Sequence, residues 1–385
     1  WRLVFAGEVV VVLLILAMVR WIRDSPPGRR PSLDWVGGVL SIAGLALIVL
    51  GVLQSGTWGW LSPRNSPITP FGFALTPFVI AAGVVALVLL RDWESSQESR
   101  GKDVLIRFRV FRIPQLRAGL IMLLGQNTVM LGVFFAIPLY LQIVQGFDAF
   151  QTGLRLLPVS LTMVLAAMSG PVLSRLASPR RIVQAGVATL LLAILWLLTA
   201  IRPTIDDTSF ALAMAVMGVG MGLMASQLGN VVQSSVGDEE RGEVGGLQYT
   251  AQNLGGSLGT ALIGSILVGA LAASLTSQIE SDPRISATTN QQVGIRLEAG
   301  ISFLPTSGVD AALARAEVPE AEAAALVDQY AEAQLKGLKA GLLAAAAIAL
   351  VSLAFTRHLP GERLGTPRSR RGRSQKPSSN VVRSG

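Results

Sequence analysis

The first place to look for chemistry in this chain is an acid set among apolar residues, and Glu8, within the run from Leu3 to Val19, is the clearest case. A charged side chain at the centre of a bilayer costs on the order of 3 kcal/mol on insertion scales, so one that stays there is a functional candidate. Glu8 is read either as a proton-coupling carboxyl or as a carboxylate that snorkels to the interface beside Arg2. Arg155, near the end of another apolar run, has the same two readings. Asp34, in Ser32-Leu33-Asp34-Trp35, and the pair Asp206 and Asp207 each precede a helical run, where a carboxylate caps free backbone amides.

Uncharged amides form a second set. Asn127, Phe134, Pro138, Gln142 and Gln145 follow one another at helical offsets that keep them on one face. Gln227, Asn230 and Gln233 recur at steps of three, and Gln248 pairs with Gln252. Amides facing lipid are costly, so these point inward, either to bond between helices or to line a wet substrate cavity.

Gly218 and Gly222, with Gly220 between them, and Gly255 and Gly259, with Gly256, have the G-x-x-x-G spacing that lets helices approach closely. A phosphate-cradling loop needs a preceding strand and a Lys followed by Ser or Thr, and neither cluster has them. The chain has no cysteine, and His358 is its one histidine. That removes thiolate chemistry and nearly every zinc or haem arrangement, so neither a metal site nor a cofactor is expected. A membrane enzyme would need an imidazole or an equivalent constellation at depth, whereas His358 sits beside Arg357 at the end of the last apolar run.

The elements that must position these residues are membrane-spanning helices. Hydrophobic residues make up 51% of the 385 and charged ones 15%, against about a quarter in soluble domains. Nine apolar stretches approach the roughly 20 residues that cross a bilayer: 3–19, 35–53, 71–90, 118–144, 152–173, 182–201, 210–232, 245–271 and 338–355. Unpaired backbone groups are too expensive in hydrocarbon for anything but helix here, since the alternation of a barrel strand is absent. The expected fold class is therefore all-α, a polytopic membrane protein with about nine spans.

Basic residues alternate between loops. One set of loops, with the C-terminal tail, carries twenty-three lysines and arginines, while the other holds Arg64, Arg202, Arg284, Arg296 and Arg315. This bias puts Trp1 outside and the tail in the cytoplasm. It also accounts for the net charge of +8, so no nucleic-acid partner is inferred; the partners expected are the lipid bilayer, a small-molecule substrate and protons.

The stretch 274–336 carries nine acids between Glu280 and Glu332 and reads as an external loop whose helical run after Pro319 lies on the membrane surface. The tail 358–385 has no apolar periodicity and is expected to be a disordered basic segment on the cytoplasmic side, with anionic lipid as its contact.

Ordered motifs then point to a family. Trp1-Arg2 through Phe5 resembles the start of the sixth helix of the fourteen-helix drug:proton antiporters of the major facilitator superfamily. Leu33-Asp34-Trp35-Val36-Gly37 is similar to the opening of their seventh helix. Pro138-Leu139-Tyr140-Leu141-Gln142, with Gly146, Gly153 and Leu156-Leu157-Pro158, resembles the ninth and tenth. Arg241-Gly242-Glu243, Gly245-Gly246-Leu247-Gln248 and Leu254-Gly255-Gly256-Ser257-Leu258-Gly259 add to the match.

The resemblance implies that 1–20 is the last helix of an N-terminal bundle, 21–33 a cytoplasmic loop, 34–91 two extra inter-bundle helices, 92–117 a basic linker and 118–357 a C-terminal six-helix bundle. About five helices would precede Trp1, and that N-terminal bundle of the same protein becomes an expected partner. Glu8 stands where the family usually has asparagine. Around Ser178, in the loop 170–181, the usual aspartate is replaced.

The function implied is proton-coupled export of amphipathic small molecules by alternating access. Its competitors are a transport-incompetent remnant or assembly partner and, more remotely, a membrane enzyme.

Overall fold

In a computed structural model the described residues are 2–19, 21, 34–63, 65–237, 240–282, 285, 303–315 and 318–361. The tail beyond 361, most of the loop 21–33 and residues 286–300 lie outside them, as do the expectations that fall there. The described helices are α1 (Arg2–Val19), α2 (Trp35–Trp58), α3 (Thr76–Ser99), α4 (Pro114–Leu139), α5 (Ala149–Met168) and α6 (Gly170–Leu176). They continue with α7 (Pro179–Ala200), α8 (Asp207–Gln233), α9 (Arg241–Ser281), α10 (Thr306–Arg315) and α11 (Glu320–Phe355).

Among the described residues eight helices are long and apolar enough to span a membrane: α2, α3, α4 with its extension to Val144, α5, α7, α8, α9 and α11. A shorter apolar stretch, Phe5–Val19 in α1, completes the set. This is the all-α polytopic membrane architecture expected from the nine apolar stretches.

Caps and breaks set the helix ends. The Asp34 side chain accepts the Gly37 amide and starts α2, and Asp206 accepts the Thr208 and Ser209 amides at α8. Asp148 and Gln151 form a reciprocal capping box on α5. Asp207, expected as a second cap, instead forms a two-pronged ion pair with Arg155 of α5, at 2.9 and 3.1 Å. The same guanidinium lies 3.7 Å from the centre of the Phe147 ring.

The expected helix 152–173 is broken after Met168, where α6 restarts with Pro171 in its first turn. Ser178 occupies the N-cap of α7 but makes no side-chain capping bond.

In lipid, apolarity cannot choose which helix faces meet, so close packing does. α4 packs on α9, α11 and α8; α8 lies between α5 and α7; α11 bridges α9, α4 and α7. The bundle core is filled by Tyr140, Ile194, Leu197, Phe210, Met214 and Met217, all fully buried. α2 and α3 form a hairpin whose α2 leans on α9. From Phe5 to Val19 every residue of α1 is exposed, and the helix is not packed into the bundle.

Glycines make the closest approaches. A Cβ on Gly255 or Gly259 would run into the carbonyl oxygens of Leu124 or Thr128 on α4. A Cβ on Gly218 or Gly222 would meet those of Val159 or Met163 on α5, and Gly220 presses on Leu190 and Gly186 of α7.

The stretch expected to lie flat on the membrane takes a different course. α9 runs unbroken for 41 residues and α11 for 36, about 60 and 54 Å at 1.5 Å per residue, against a hydrocarbon core of about 30 Å. Their extensions pack on one another through Leu271, Leu275, Ile279, Ala325, Leu326 and Ala333. The helix after Pro319 thus continues into the span, because its small and apolar residues have a partner in α9. Tyr330 exchanges hydrogen bonds with both backbone groups of Leu304, which ties the loop before α10 to this stalk.

Candidate functional site

One end of the bundle carries the 100–113 connection and the ends of α8 and α11; it is called the basic end below. Along α9, from this end toward the middle, polar residues interrupt the apolar helix at Tyr249, Asn253, Ser257 and Thr260, at steps of four, four and three that hold them to one side.

Two adjacent clefts open there. One, of about 260 Å³, is lined by Asn127 and Leu131 of α4 and by Gln252, Asn253, Gly256, Ser257 and Thr260 of α9. The other, of about 460 Å³, lies where α2 leans on α9, between Leu45, Ala46 and Val49 on one side and Tyr249, Asn253 and Ser257 on the other. Asn253 and Ser257 belong to both. The amides of Asn127 and Asn253 donate to carbonyls of their own helices, Leu123 and Tyr249, both at 2.9 Å. The polar lining is therefore not consumed in bonds between helices.

The structure separates the other residues singled out in the sequence. Gln227 is buried and gives its amide to the Gly170 carbonyl at 3.4 Å, so it joins α8 to the α5–α6 break. Gln233 donates to the Gln248 side chain at 3.3 Å, linking α8 to α9. Asn230 is exposed and lines a separate cavity of about 380 Å³ at the basic end, with Pro179, Gln233, Arg241 and Pro360.

Phe134 packs against the apolar core instead of a cleft. Gln142 is exposed, because the helix changes pitch before it is reached. Pro138 has no amide hydrogen to give, and residues Tyr140–Val144 form a π turn. The offset counted at 3.6 residues per turn does not carry through that turn.

Gln145 donates to the Tyr140 hydroxyl and to the carbonyls of Arg202 and Pro203, closing the far ends of α4 and α7 together. Glu8 lies on the exposed surface of α1, away from both clefts. Among the described residues no cluster of His, Asp or Glu could hold a metal ion.

Sequence reading missed Gln126, Asn253, Ser257 and Thr260. Gln126 is the buried amide of α4, and it bonds the Met221 carbonyl of α8 at 3.2 Å. Its neighbour Asn127 is the one that falls on the face shared with Phe134, Pro138, Gln142 and Gln145 by helical spacing. The polar stripe of α9 was legible as helical spacing from Tyr249, but it is hidden among glycines and alanines that read as packing.

A bundle of long apolar helices, with two clefts opening beside the polar stripe of α9, is the architecture of a polytopic membrane protein. The sequence profile of the Major Facilitator Superfamily matches residues 1–260, and the chain belongs to that family.

The chain is 30% identical over 285 residues, 73% of its length, to a probable actinorhodin transporter of Streptomyces coelicolor, of which that covers 47%. It is 29% identical over 370 residues, 94% of its length, to a tetracenomycin C resistance and export protein of Streptomyces glaucescens, covering 64% of it. A cephamycin export protein of Amycolatopsis lactamdurans is 30% identical over 268 residues, 68% of this chain and 52% of that protein. The chain thus spans about half to two thirds of the length of these relatives.

Proposed function

We propose that the protein exports amphipathic small molecules across the cell membrane in exchange for protons, as a fourteen-helix antiporter of its superfamily. The observation that carries this reading is the pair of clefts that share Asn253 and Ser257 of α9. Such a wall suits a substrate that is mostly apolar with a few polar groups, because a small number of hydrogen-bonding side chains orients it while the rest excludes water. The relatives named as a probable actinorhodin transporter, a tetracenomycin C resistance and export protein and a cephamycin export protein support a small-molecule substrate.

In this reading the α4–α9 wall faces a second bundle of the same protein, of which α1 is the last helix. Rocking of the two bundles exposes the clefts to each side in turn. The basic end lies in the cytoplasm, following the bias of positive residues. Asn127, Gln252, Asn253 and Ser257 contact substrate, while Gln227 and Gln248 hold helices together. Glu8 is the coupling carboxyl at the junction with that second bundle.

The test is efflux from a drug-sensitive host expressing the full-length gene. Resistance and efflux that collapse with an uncoupler are expected, and efflux indifferent to the uncoupler contradicts proton exchange. Glu8→Gln is expected to change the pH dependence of efflux; an unchanged profile removes Glu8 from the cycle.

A further inference from the structure

At the root of the α2–α3 hairpin, on the basic end, stands a carboxylate that the clefts do not use. Glu94 lies beyond Leu90, where the apolar run of α3 stops, yet it is only 1% exposed. Its Oε2 accepts the Leu105 amide at 3.1 Å, which pins the strap 101–107 against the hairpin. Its Oε1 is buried with no hydrogen-bond partner among the described residues.

Asp34 is alongside. Asp34 Oδ2 and Glu94 Oε1 are each 2.6 Å from the point that a Cβ on Gly37 would occupy, so the two oxygens lie within twice that distance of each other. The missing side chain of Gly37 is what leaves room for them. Asp34 itself is held in place: its Oδ1 accepts the Gly37 amide at 2.9 Å, and the Trp93 indole reaches both of its oxygens, at 3.2 and 3.1 Å.

The charges facing this pair sharpen the problem. Besides Asp34, the charged group acting on Glu94 is Glu243 of α9, also an acid. Glu243 accepts the Arg107 amide and is faced in turn by Arg107 and Arg109, with Glu240 beside it. Among the described residues no arginine or lysine pairs with Glu94. The backbone amides of Leu105 and Ile106 favour the ionised form of Glu94, but with a bare buried oxygen next to a second carboxylate that form is short of compensation. One proton answers both defects: an acid O–H on Glu94 Oε1 has Asp34 Oδ2, no more than about 5 Å away, to turn toward.

We propose that Glu94 and Asp34 form a proton-binding pair that holds a single proton between Glu94 Oε1 and Asp34 Oδ2 at the root of the hairpin. When the proton leaves to water at this end, two carboxylates face each other across Gly37. The pair stands independently of the export reading, and its test uses no transport assay.

The experiment is infrared spectroscopy of the whole purified chain in lipid nanodiscs across a pH series, in H₂O and D₂O. The wild type is expected to show a protonated-carboxyl stretch at neutral pH that shifts in D₂O and vanishes at higher pH. Glu94→Gln should remove that band, and Asp34→Asn should make it vanish at lower pH, since the neighbouring charge that retains the proton is gone.

Absence at neutral pH of an acid band that Glu94→Gln removes overturns the proposal, as does a band indifferent to Asp34→Asn. A carboxylate signal that responds to sodium or potassium without any acid band means a metal cation occupies the pair, and also overturns it. If Glu94→Gln does not fold, the wild-type titration and Asp34→Asn decide the matter alone.

Discussion

The seam between α4 and α9 and the seam between α5 and α8 are built from the same parts. In each, two glycines four residues apart sit against two carbonyls four residues apart: Gly255 and Gly259 on Leu124 and Thr128, and Gly218 and Gly222 on Val159 and Met163. What flanks them differs. Beside the first lie Asn127, Gln252, Asn253, Ser257 and Thr260 and the clefts they line. On α5, beside the second, Leu154, Leu157, Leu161, Val164 and Leu165 are exposed and form a mostly apolar face. The glycine spacing therefore reports helix approach in both places, and the two seams differ in the polarity of the neighbouring face.

The largest expected effects fall on the shared part. Gly259→Val and Gly222→Val each push a side chain into a neighbouring backbone that cannot move aside, and each should destabilise the fold by about 3 kcal/mol, measured by unfolding in bicelles. If only one of them did so, the two seams would not be equivalent.

Next comes Gln126→Leu, which removes the bond to Met221 and with it one tie between α4 and α8. A loss of roughly 1 kcal/mol is expected, in line with single hydrogen bonds between membrane helices.

Asn253→Ala and Ser257→Ala sharpen the contrast from the other side. Neither residue is buried, and each should change stability by less than about 0.5 kcal/mol while lowering efflux by the full-length protein. A pair of variants that lost stability and efflux together would make these residues packing groups.

Smallest of all is Arg155→Gln at the end of α5. Its ion pair with Asp207 is largely exposed on the Asp207 side, so its loss is worth about 0.5 kcal/mol or less in a double-mutant cycle.

Much of the fold was legible before any coordinates. The spanning helices follow from the length of each apolar run, and the caps at Asp34 and Asp206 from residue type alone, because both depend on local physics. Where partners decide, the sequence misled. The acidic run after Pro319 reads as a surface helix until α9 is seen to extend alongside it and bury Ala325, Leu326 and Ala333. Gln142 was placed by a helical count that the π turn after Pro138 invalidates.

Gln126 and Asn127 are adjacent amides, and only the position of α8 decides that the first is glue and the second lines a cleft. Gly37 shows the same limit. It could be recognised as part of a motif, but that it makes room for Asp34 and Glu94 could not, since Glu94 arrives from the next helix.

The most direct test of the central claim uses the absence of cysteine in this chain. Single cysteines at Asn253 and Ser257, and at Leu161 and Leu165, would be treated in native membranes with a membrane-impermeant thiol reagent. The first pair should label and be protected by a transported compound, while the second stays unlabelled. Labelling of Leu161→Cys and Leu165→Cys with Asn253→Cys and Ser257→Cys silent would contradict the assignment of the α9 stripe as the wet wall.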